Sequence, residues 1–331
     1  MAKLALTIWT KSSLSFPEPR ADAPVGPKKT LNRRHLLRII ILGDGQVGTQ
    51  LAQDLRLTDH TLSLFGSPRS TKSERLDLHD LSAIQRVIRL HRPQVIVNAA
   101  AFTDVNRAES EPFEAYRTNC LVVEHLSSFG IPLIHFSTDF VYSGNSDVPY
   151  KETDATEPIS VYGRTKLLGD QALAKSGTPH INLRTSWVYG PTGNNFVRKI
   201  LSLLETREEI FVVTDEVSAP TSVKSLSSIV LAILNQPDQF IAEHSGVYHA
   251  CDKGFMSRYE MAKEIQSIAK DLGFAHKATG ITGEGSSASS IRPKNSRLDT
   301  AKLESLLPGA LVDAKVRLQN VLYDIFMLYH N

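Results

Sequence analysis

The strongest constraint on the fold is a glycine-rich turn that joins an apolar run to an amphipathic helix pattern. Arg38–Leu42 reads RIIIL, a short apolar run typical of a strand that is buried on both faces. The run ends in GDGQVG at 43–48, and Val47, Leu51 and Leu55 then recur at helical spacing. A strand, a tight turn and a helix in this order predict the start of a βαβ unit.

The alternation of strand and helix patterns continues for about 140 residues. Strand patterns at 61–65, 95–97, 132–136 and 181–184 alternate with helix patterns, which lie at 77–92, 115–128 and 160–175. This spacing predicts a parallel sheet with helices on both faces. Right-handed crossovers then favour an α/β fold with a doubly wound Rossmann-type sheet. We expect residues 38–185 to form this domain.

The alternation loosens beyond residue 186. Helix patterns lie at 195–206, 222–234, 258–272 and 312–328, with short strand patterns at 210–213 and 246–249. We expect residues 186–331 to form mainly a smaller C-terminal substrate-binding lobe on the carboxyl edge of the sheet, with some segments returning to that sheet. The stretch 280–290 is rich in Gly and Ser and predicts a long loop.

Residues 1–37 differ from the rest of the chain. They contain four Pro, several Ser and Thr, and a basic run at 28–34. The apolar piece at 4–9 is too short and too interrupted for a secretory signal. We expect a flexible or processed N-terminal tail, and a transit-like peptide or a start codon assigned too early are the alternatives.

The composition excludes several function classes. Lys and Arg total 37 against 35 Asp and Glu, so a basic nucleic-acid-binding surface is not indicated. No run approaches the roughly 18 apolar residues of a membrane span. The two cysteines, Cys120 and Cys251, have neither metal-binding nor disulfide-framework spacing and indicate a reducing compartment. We expect a cytoplasmic protein with no nucleic-acid partner, no membrane span and no metal site.

The glycine turn predicts a dinucleotide site, because it follows a strand and opens a helix. Gly43 permits the tight turn, Gly45 lets a pyrophosphate approach the backbone, and Gly48 lets the helix pack closely on the strand. The N-terminus of the helix adds free N–H groups and a partial positive charge for the phosphates.

The end of the second strand indicates which dinucleotide is bound. NAD-binding domains usually place Asp or Glu there to hold the ribose 2′-hydroxyl. The sequence FGSPR at 65–69 carries no carboxylate, and Ser67 and Arg69 would suit a 2′-phosphate. NADPH is therefore the favoured cofactor, with NADH as the alternative. Asp77 is either an acceptor for the adenine amino group or the N-cap of the next helix.

Tyr162 and Lys166 lie four residues apart, on one face of a predicted helix. An ammonium near a phenol favours the phenolate, so we expect Lys166 to lower the pKa of Tyr162 towards the range of general acid–base catalysis. Gly163 weakens the helix and suggests a close approach by another segment. Thr138, at the carboxyl end of the preceding strand, would hydrogen-bond a substrate carbonyl. Such a set would deliver a proton during hydride transfer.

Several motifs together resemble the extended short-chain dehydrogenase/reductases and, within them, the dTDP-4-dehydrorhamnose reductase family. The resemblance runs from about residue 38 to the C-terminus. The motifs are GQVG at 45–48, VNAAAFTDVNRAESEP at 97–112, STDFVYSG at 137–144, VYGRTKLLGD at 161–170, LRTSWVYGPTGNNF at 183–196, VTDEVSAPT at 213–221 and RPKNSRLDT at 292–300.

The resemblance implies roles for individual residues. Tyr162 would be the proton donor, Lys166 its pKa modulator and ribose ligand, and Thr138 the third catalytic residue. The implied cofactor-binding positions are Gly45, Gln46, Val47, Asp77, Leu78, Ala101, Phe102 and Thr103. The implied positions for the dTDP-sugar are Thr138, Asp139, Trp187, Asn195 and Arg292. Asn195 is also a candidate helix cap.

The chain departs from the family pattern at three places. The turn is one residue shorter than the usual GxxGxxG, and Phe102 stands where His is common. Gln50 stands where some relatives have Glu, so a magnesium ion and a metal-linked homodimer are left open. The basic N-terminal run has no recognised counterpart.

Three hypotheses follow from this sequence. The first is NADPH-dependent reduction of the C4 keto group of dTDP-4-dehydro-L-rhamnose to dTDP-L-rhamnose, for polysaccharide precursor synthesis. The second is another sugar-nucleotide reductase or epimerase of the same fold. The third is a non-catalytic, NADP-binding regulatory subunit that resembles the β subunit of methionine adenosyltransferase. Tyr162, Lys166 and Thr138 argue against the third hypothesis, and the motifs after residue 183 argue against the second.

Overall fold

The computed structural model describes residues 36–287 and 290–330. Seven of the strands in this part of the chain form a parallel β-sheet, and the others form three two-stranded pairs. The strands are β1 (Arg38–Leu42), β2 (Thr61–Gly66), β3 (Glu74–Arg75), β4 (Val95–Asn98), β5 (Leu133–Thr138), β6 (His180–Thr185), β7 (Val188–Tyr189), β8 (Glu209–Val213), β9 (Val217–Ser218), β10 (Thr221–Ser222), β11 (Gly246–His249), β12 (Met256–Ser257) and β13 (Gly280–Glu284).

The helices follow most of these strands. They are α1 (Gln46–Leu55), α2 (Leu81–His91), α3 (Val105–Ser110), α4 (Pro112–Tyr116), α5 (Val122–Ser127), α6 (Val161–Lys175), α7 (Phe196–Thr206), α8 (Val223–Leu234), α9 (Phe240–Glu243), α10 (Arg258–Asp271), α11 (Ala301–Leu306) and α12 (Ala314–His330). A π-helical turn at Arg117–Leu121 joins α4 to α5, and a 3₁₀ turn at Asp139–Val141 follows β5.

The central sheet has the strand order β3-β2-β1-β4-β5-β6-β11, and every neighbouring pair in it is parallel. This is the doubly wound arrangement, so the predicted Rossmann-type α/β fold is confirmed. The order reverses between β1 and β4, where Ile41 pairs with Val97. Ligands of open α/β sheets bind in the crevice at this switch point.

The two faces of the sheet bury alternate residues of the strands. Ile39 and Ile41 face a core formed with α1 and α8, whereas Ile40 and Leu42 face a core formed with α2 and α5. A continuous apolar run is required here because both faces are covered. The apolar run at 38–42 therefore explains why β1 lies at the centre of the sheet.

The residues after 186 divide between the sheet and a second cluster. β11 pairs with β6, and α8 packs against α1, so both belong to the sheet. A separate apolar core joins α7, α10 and α12 to the parallel pair β8 and β13. The predicted loop at 280–290 is wrong for Gly280–Glu284, because Ile281 is buried against this core and its strand pairs with β8.

Two predicted boundaries differ in the structure. Helix α2 begins at Leu81 rather than at residue 77, because the Asp80 carboxylate accepts from the Ala83 N–H and caps the helix. Leu37, assigned to the tail, is 8% exposed and packs into the core beneath α1. The prediction of a flexible or processed tail otherwise falls on residues 1–35, which lie outside the described part of the chain.

Candidate active site

A cavity of about 1080 Å³ lies at the carboxyl ends of β1, β4, β5 and β6. Most of the residues predicted for the cofactor and substrate line this cavity. They are Gly43, Gly45, Gln46, Val47, Asp77, Leu78, Ala101, Thr103, Thr138, Asp139, Tyr162, Lys166, Trp187 and Arg292. Gly48, Arg69, Phe102 and Asn195 are not among its lining residues. The fold thus brings together around one cavity residues that lie between positions 43 and 292 in the chain.

The glycine turn is shaped by two close backbone approaches. Gly43 has φ of +97°, and a Cβ atom there would lie 2.6 Å from the Ala100 backbone nitrogen. A Cβ atom at Gly48 would overlap the Gly43 carbonyl oxygen. Gly48 therefore allows α1 to pack on the turn without lining the cavity, and any side chain at Gly43 would collide with the segment after β4.

The N-terminus of α1 is open towards the cavity. Gly45 is its N-cap, no side chain caps the first turn, and the first turn carries no acidic residue. A Cβ atom at Gly45 would meet nothing within 4 Å, so a ligand can approach the backbone here. Uncapped N–H groups at the positive end of a ten-residue helix fit the pyrophosphate of a dinucleotide.

Asn195 connects the second lobe to the glycine turn. It caps α7 by accepting from the Arg198 N–H, and its side-chain amide donates to Gln46 Oε1 at 2.8 Å. The Gln46 side chain in turn donates to the Asn194 carbonyl at 3.3 Å. Asn195 is 8% exposed and does not line the cavity, and the structure gives it a capping role, while the predicted substrate contact stays a prediction.

The loop after β2 supplies a different basic residue from the one predicted. Lys72 lines the cavity together with Ser67 and Pro68, whereas Arg69 does not. Asp77 also lines the cavity, and its carboxylate accepts from the His79 N–H at 2.9 Å. Because Asp80 caps α2, the alternative that made Asp77 the N-cap is wrong.

The segment after β4 is held in place by Asn119, which lies in the π-helical turn. The Asn119 side chain accepts from the Phe102 N–H at 2.8 Å and donates to the Phe102 carbonyl at 3.1 Å. It also donates to Thr165 Oγ1 on α6 at 3.1 Å. The Arg107 guanidinium lies 5.1 Å from the centroid of the Phe102 ring. Ala101 and Thr103, the chain neighbours of Phe102, both line the cavity.

Tyr162 lies in the first turn of α6, whose N-cap Ser160 accepts from the Gly163 N–H at 3.1 Å. Burial raises the pKa of Tyr162 to about 12, although a hydrogen bond with Thr138 acts to lower it. The expectation of a lowered pKa is therefore wrong for the protein by itself, because desolvation of the phenolate outweighs the hydrogen bond. Tyr162 holds its proton throughout the neutral range.

Lys166 lies one helical turn further, with its side chain 1% exposed. Its amine donates to the Phe136 carbonyl at 2.7 Å and lies 3.2 Å from His135 Nε2. Burial lowers the pKa of Lys166 to about 8, against the opposing effect of Asp170. Burial holds the pKa of His135 well below its ordinary value, so this ring is neutral beside the amine.

A second cluster of charged groups, formed by Asp139, Arg258 and Glu216, begins beside Tyr162. Asp139 is 2% exposed, accepts from Thr138 Oγ1 at 3.1 Å, and has its pKa raised to about 6 by burial. The Arg258 guanidinium lies 3.6 Å from the centroid of the Trp187 ring and 3.7 Å from a Glu216 carboxylate oxygen. Trp187 has φ of +44°, a conformation rarely adopted outside glycine and typical of functional sites.

Sequence reasoning missed Arg258, Glu216 and Lys72. Glu216 lies inside the motif at 213–221, but no spacing rule connects it to Arg258, which is 42 positions away along the chain. Lys72 comes after Arg69 in the chain, and Arg69 was chosen because it is the first basic residue after β2. Arg292 does line the cavity, and its guanidinium donates to Asn106 Oδ1 at 3.2 Å.

Residues 36–287 and 290–330 contain neither a metal-binding cluster nor a membrane-spanning helix. No group of three or more His, Cys, Asp or Glu side chains is placed to hold a metal ion there. No helix in this part of the chain is both long enough and apolar enough to cross a bilayer. The magnesium ion and the homodimer that the family resemblance left open stay untested predictions.

Comparison with known proteins identifies the family. Residues 37–326 match the family described as RmlD substrate binding domain. A dTDP-4-dehydrorhamnose reductase from Sinorhizobium fredii is 38% identical over 275 residues, which are 81% of this chain and 90% of the relative. The Escherichia coli K12 protein of the same name is 36% identical over 261 residues, which are 76% of this chain and 86% of the relative.

A solved structure agrees with this assignment. The dTDP-4-dehydrorhamnose reductase of Bacillus anthracis, in complex with NADP, superposes with a TM-score of 0.78 at 29% identity and covers 87% of this chain and 99% of its own. The resemblance that the motifs indicated is confirmed. The chain belongs to the RmlD substrate-binding-domain family, together with these dTDP-4-dehydrorhamnose reductases.

Proposed function

We propose that this protein reduces the C4 keto group of dTDP-4-dehydro-L-rhamnose with NADPH, forming dTDP-L-rhamnose for polysaccharide precursor synthesis. The observation that carries the proposal is the placement of Tyr162, Lys166 and Thr138 around one cavity, next to an uncapped helix N-terminus. The family assignment supplies the substrate class.

The chain's own residues fit the parts of a dinucleotide. The N–H groups of α1 would hold the pyrophosphate, and Lys72 with Ser67 would face the adenosine ribose. The Lys166 amine and the Tyr162 hydroxyl would hold the second ribose at the other end of the cavity. When bound, NADPH supplies the hydride for the reduction.

Tyr162 supplies the proton that a reduced carbonyl oxygen requires. Its raised pKa keeps the phenol protonated at neutral pH, so the proton is present for transfer. Thr138 lies within hydrogen-bond reach of the phenol, and rotation of its hydroxyl proton from Asp139 to Tyr162 would stabilise the phenolate that remains after proton transfer. A protonated Lys166 stabilises the same negative charge.

The residues around Arg258 suit a charged nucleotide sugar. Trp187 stacks against the Arg258 guanidinium, and Arg258 and Arg292 bring two guanidinium groups to the cavity wall. Guanidinium groups suit the diphosphate of a dTDP-sugar because they donate two hydrogen bonds in parallel.

A direct assay tests the proposal. NADPH absorbance is followed with purified protein and dTDP-4-dehydro-L-rhamnose, which the preceding epimerase generates in situ, and the product sugar is identified by NMR. Tyr162→Phe is expected to keep dinucleotide binding and to lower kcat by about 100- to 10,000-fold, the range for loss of a general acid. Tyr323→Phe, on the exposed face of α12, is the matched control. Full turnover in Tyr162→Phe would contradict the mechanism.

Absence of NADPH consumption by the wild-type protein, with dinucleotide still bound, would contradict the reductase assignment itself. It would favour a different sugar nucleotide or a regulatory subunit.

A further inference from the structure

The carboxyl end of β2 lies against the side chain of Asp44. The strand ends at Gly66, where NAD-binding domains usually carry the Asp or Glu that holds the ribose 2′-hydroxyl. A Cβ atom built on Gly66 would collide with the carboxylate of Asp44 and approach the hydroxyl of Ser73. The Asp44 carboxylate thus occupies the space that a side chain at the end of β2 would fill.

Asp44 reaches this position from the glycine turn. The Gly43 N–H donates to the Phe65 carbonyl at 2.8 Å, which ties the turn to the end of β2. The Asp44 carbonyl accepts from the Thr49 hydroxyl at 2.8 Å, which fixes its backbone. Asp44 lines the cavity, close to the point where the adenosine ribose would lie.

The carboxylate of Asp44 is oriented by two serine side chains. The Ser73 hydroxyl donates to its Oδ2 at 2.9 Å, and the Ser70 hydroxyl donates to the same oxygen. Within residues 36–287 and 290–330, both side-chain hydrogen bonds to the Asp44 carboxylate therefore fall on one oxygen. Oδ1 is left to accept from a ligand hydroxyl, as the carboxylate at the end of β2 does in other domains.

We propose that Asp44 sets the balance between NADH and NADPH in this protein, as a specificity-determining residue that replaces the missing carboxylate of β2. A ribose 2′-hydroxyl donates a charge-assisted hydrogen bond to the Asp44 carboxylate, whereas a 2′-phosphate is repelled by it. Lys72, on the same side of the cavity, attracts the 2′-phosphate. The two residues therefore act in opposite directions, and the site takes both dinucleotides.

This inference rests on the proposed function only for dinucleotide binding, so binding rather than turnover is measured. The fluorescence of NADH and of NADPH is titrated against the wild-type protein, Asp44→Asn and Lys72→Met. Asp44→Asn is expected to change the ratio of the two Kd values by about tenfold or more in favour of NADPH, since a hydrogen bond to a charged group is lost. Lys72→Met changes the ratio in favour of NADH.

Asp59→Asn, which removes an exposed carboxylate from the same lobe, is the charge-matched control and leaves the ratio unchanged. A second measurement needs no variant: the wild-type protein binds ADP-ribose about tenfold more tightly than 2′-deoxy-ADP-ribose. Equal affinity for these two probes, or an unchanged Kd ratio in folded Asp44→Asn, would overturn the assignment of Asp44. Failure of the wild-type protein to bind either dinucleotide would instead overturn the proposed function.

Discussion

Gly163 holds the helix of Tyr162 against the segment that carries Asp139. A Cβ atom at Gly163 would overlap the Phe140 carbonyl oxygen and would lie 3.0 Å from both the Phe140 carbonyl carbon and Pro158 Cβ. Since real Cβ atoms do not approach backbone atoms within 3.0 Å, Gly163→Ala requires α6 to move away from the 3₁₀ turn. Tyr162, the preceding residue, moves with it.

The same contacts give the size of the effect. Overpacking of this kind costs about 1–3 kcal/mol, and Ala in place of Gly inside a helix returns about 1 kcal/mol. The free energy of unfolding should therefore fall by no more than about 2 kcal/mol. A displacement of about 1 Å at a catalytic group can lower the rate by about 100-fold. We therefore expect Gly163→Ala to be folded but to have a kcat about 100-fold below that of the wild-type protein.

The assay combines urea unfolding with the NADPH-consumption rate. Gly280→Ala is the matched control, because a Cβ atom there would meet nothing within 4 Å. The control should keep both the stability and the kcat of the wild-type protein. A Gly163→Ala variant with kcat within threefold of the wild type would show that the close approach to Phe140 does not position Tyr162.

Two further predictions concern buried charges. Dinucleotide affinity should fall as the pH rises through about 8, because burial lowers the pKa of Lys166 to that value and only the ammonium form donates fully to the ribose hydroxyls. Fluorescence titration measures this affinity, and it should show no such pH dependence in Lys166→Met. Asp170→Ala should lower the free energy of unfolding by about 3–5 kcal/mol, since it leaves the Arg184 guanidinium buried without its carboxylate partner at 3.1 Å. Glu304→Ala, which breaks an exposed ion pair, should cost no more than about 1 kcal/mol in the same urea titration. Equal losses of stability in these two variants would contradict the role assigned to burial.

Local sequence was sufficient for most of the central sheet. Strands such as β1 and β4 are apolar runs, and Gly43, Gly45 and Gly48 fix the turn after β1 wherever the chain then goes. The edge strand β3 was not predicted because Glu74 and Arg75 are charged and exposed. The predicted strands at 61–65, 95–97 and 132–136 differ from the observed ones by one or two residues at either end. The strand Gly280–Glu284 was not predicted, because a glycine-rich strand lacks the apolar pattern. Its partner strand β8 lies about 70 residues earlier in the chain, so no local pattern indicates the pairing.

Motif reasoning also anticipated much of the candidate site, since Tyr162, Lys166 and Thr138 all line one cavity. Arg69 and Asn195 do not line the cavity, because a residue type at a plausible position does not determine where its side chain points. Lys72 lines the cavity in place of Arg69, and Asn195 holds Gln46 from a distance of 149 residues along the chain.

The amino-acid sequence by itself determined the alternation of the main strands and helices, the glycine turn and the family, because these depend on local patterns of residue type. Only the tertiary structure determined the pKa values of the side chains in the site and their long-range contacts. The pKa of Tyr162 is raised and that of Lys166 is lowered because folding removes both groups from water. Asp44 reaches the end of β2, and Arg258 reaches Trp187, because the fold brings together elements that are distant in the chain. Desolvation and such long-range contacts depend on the three-dimensional packing of the whole chain, which no short sequence pattern specifies.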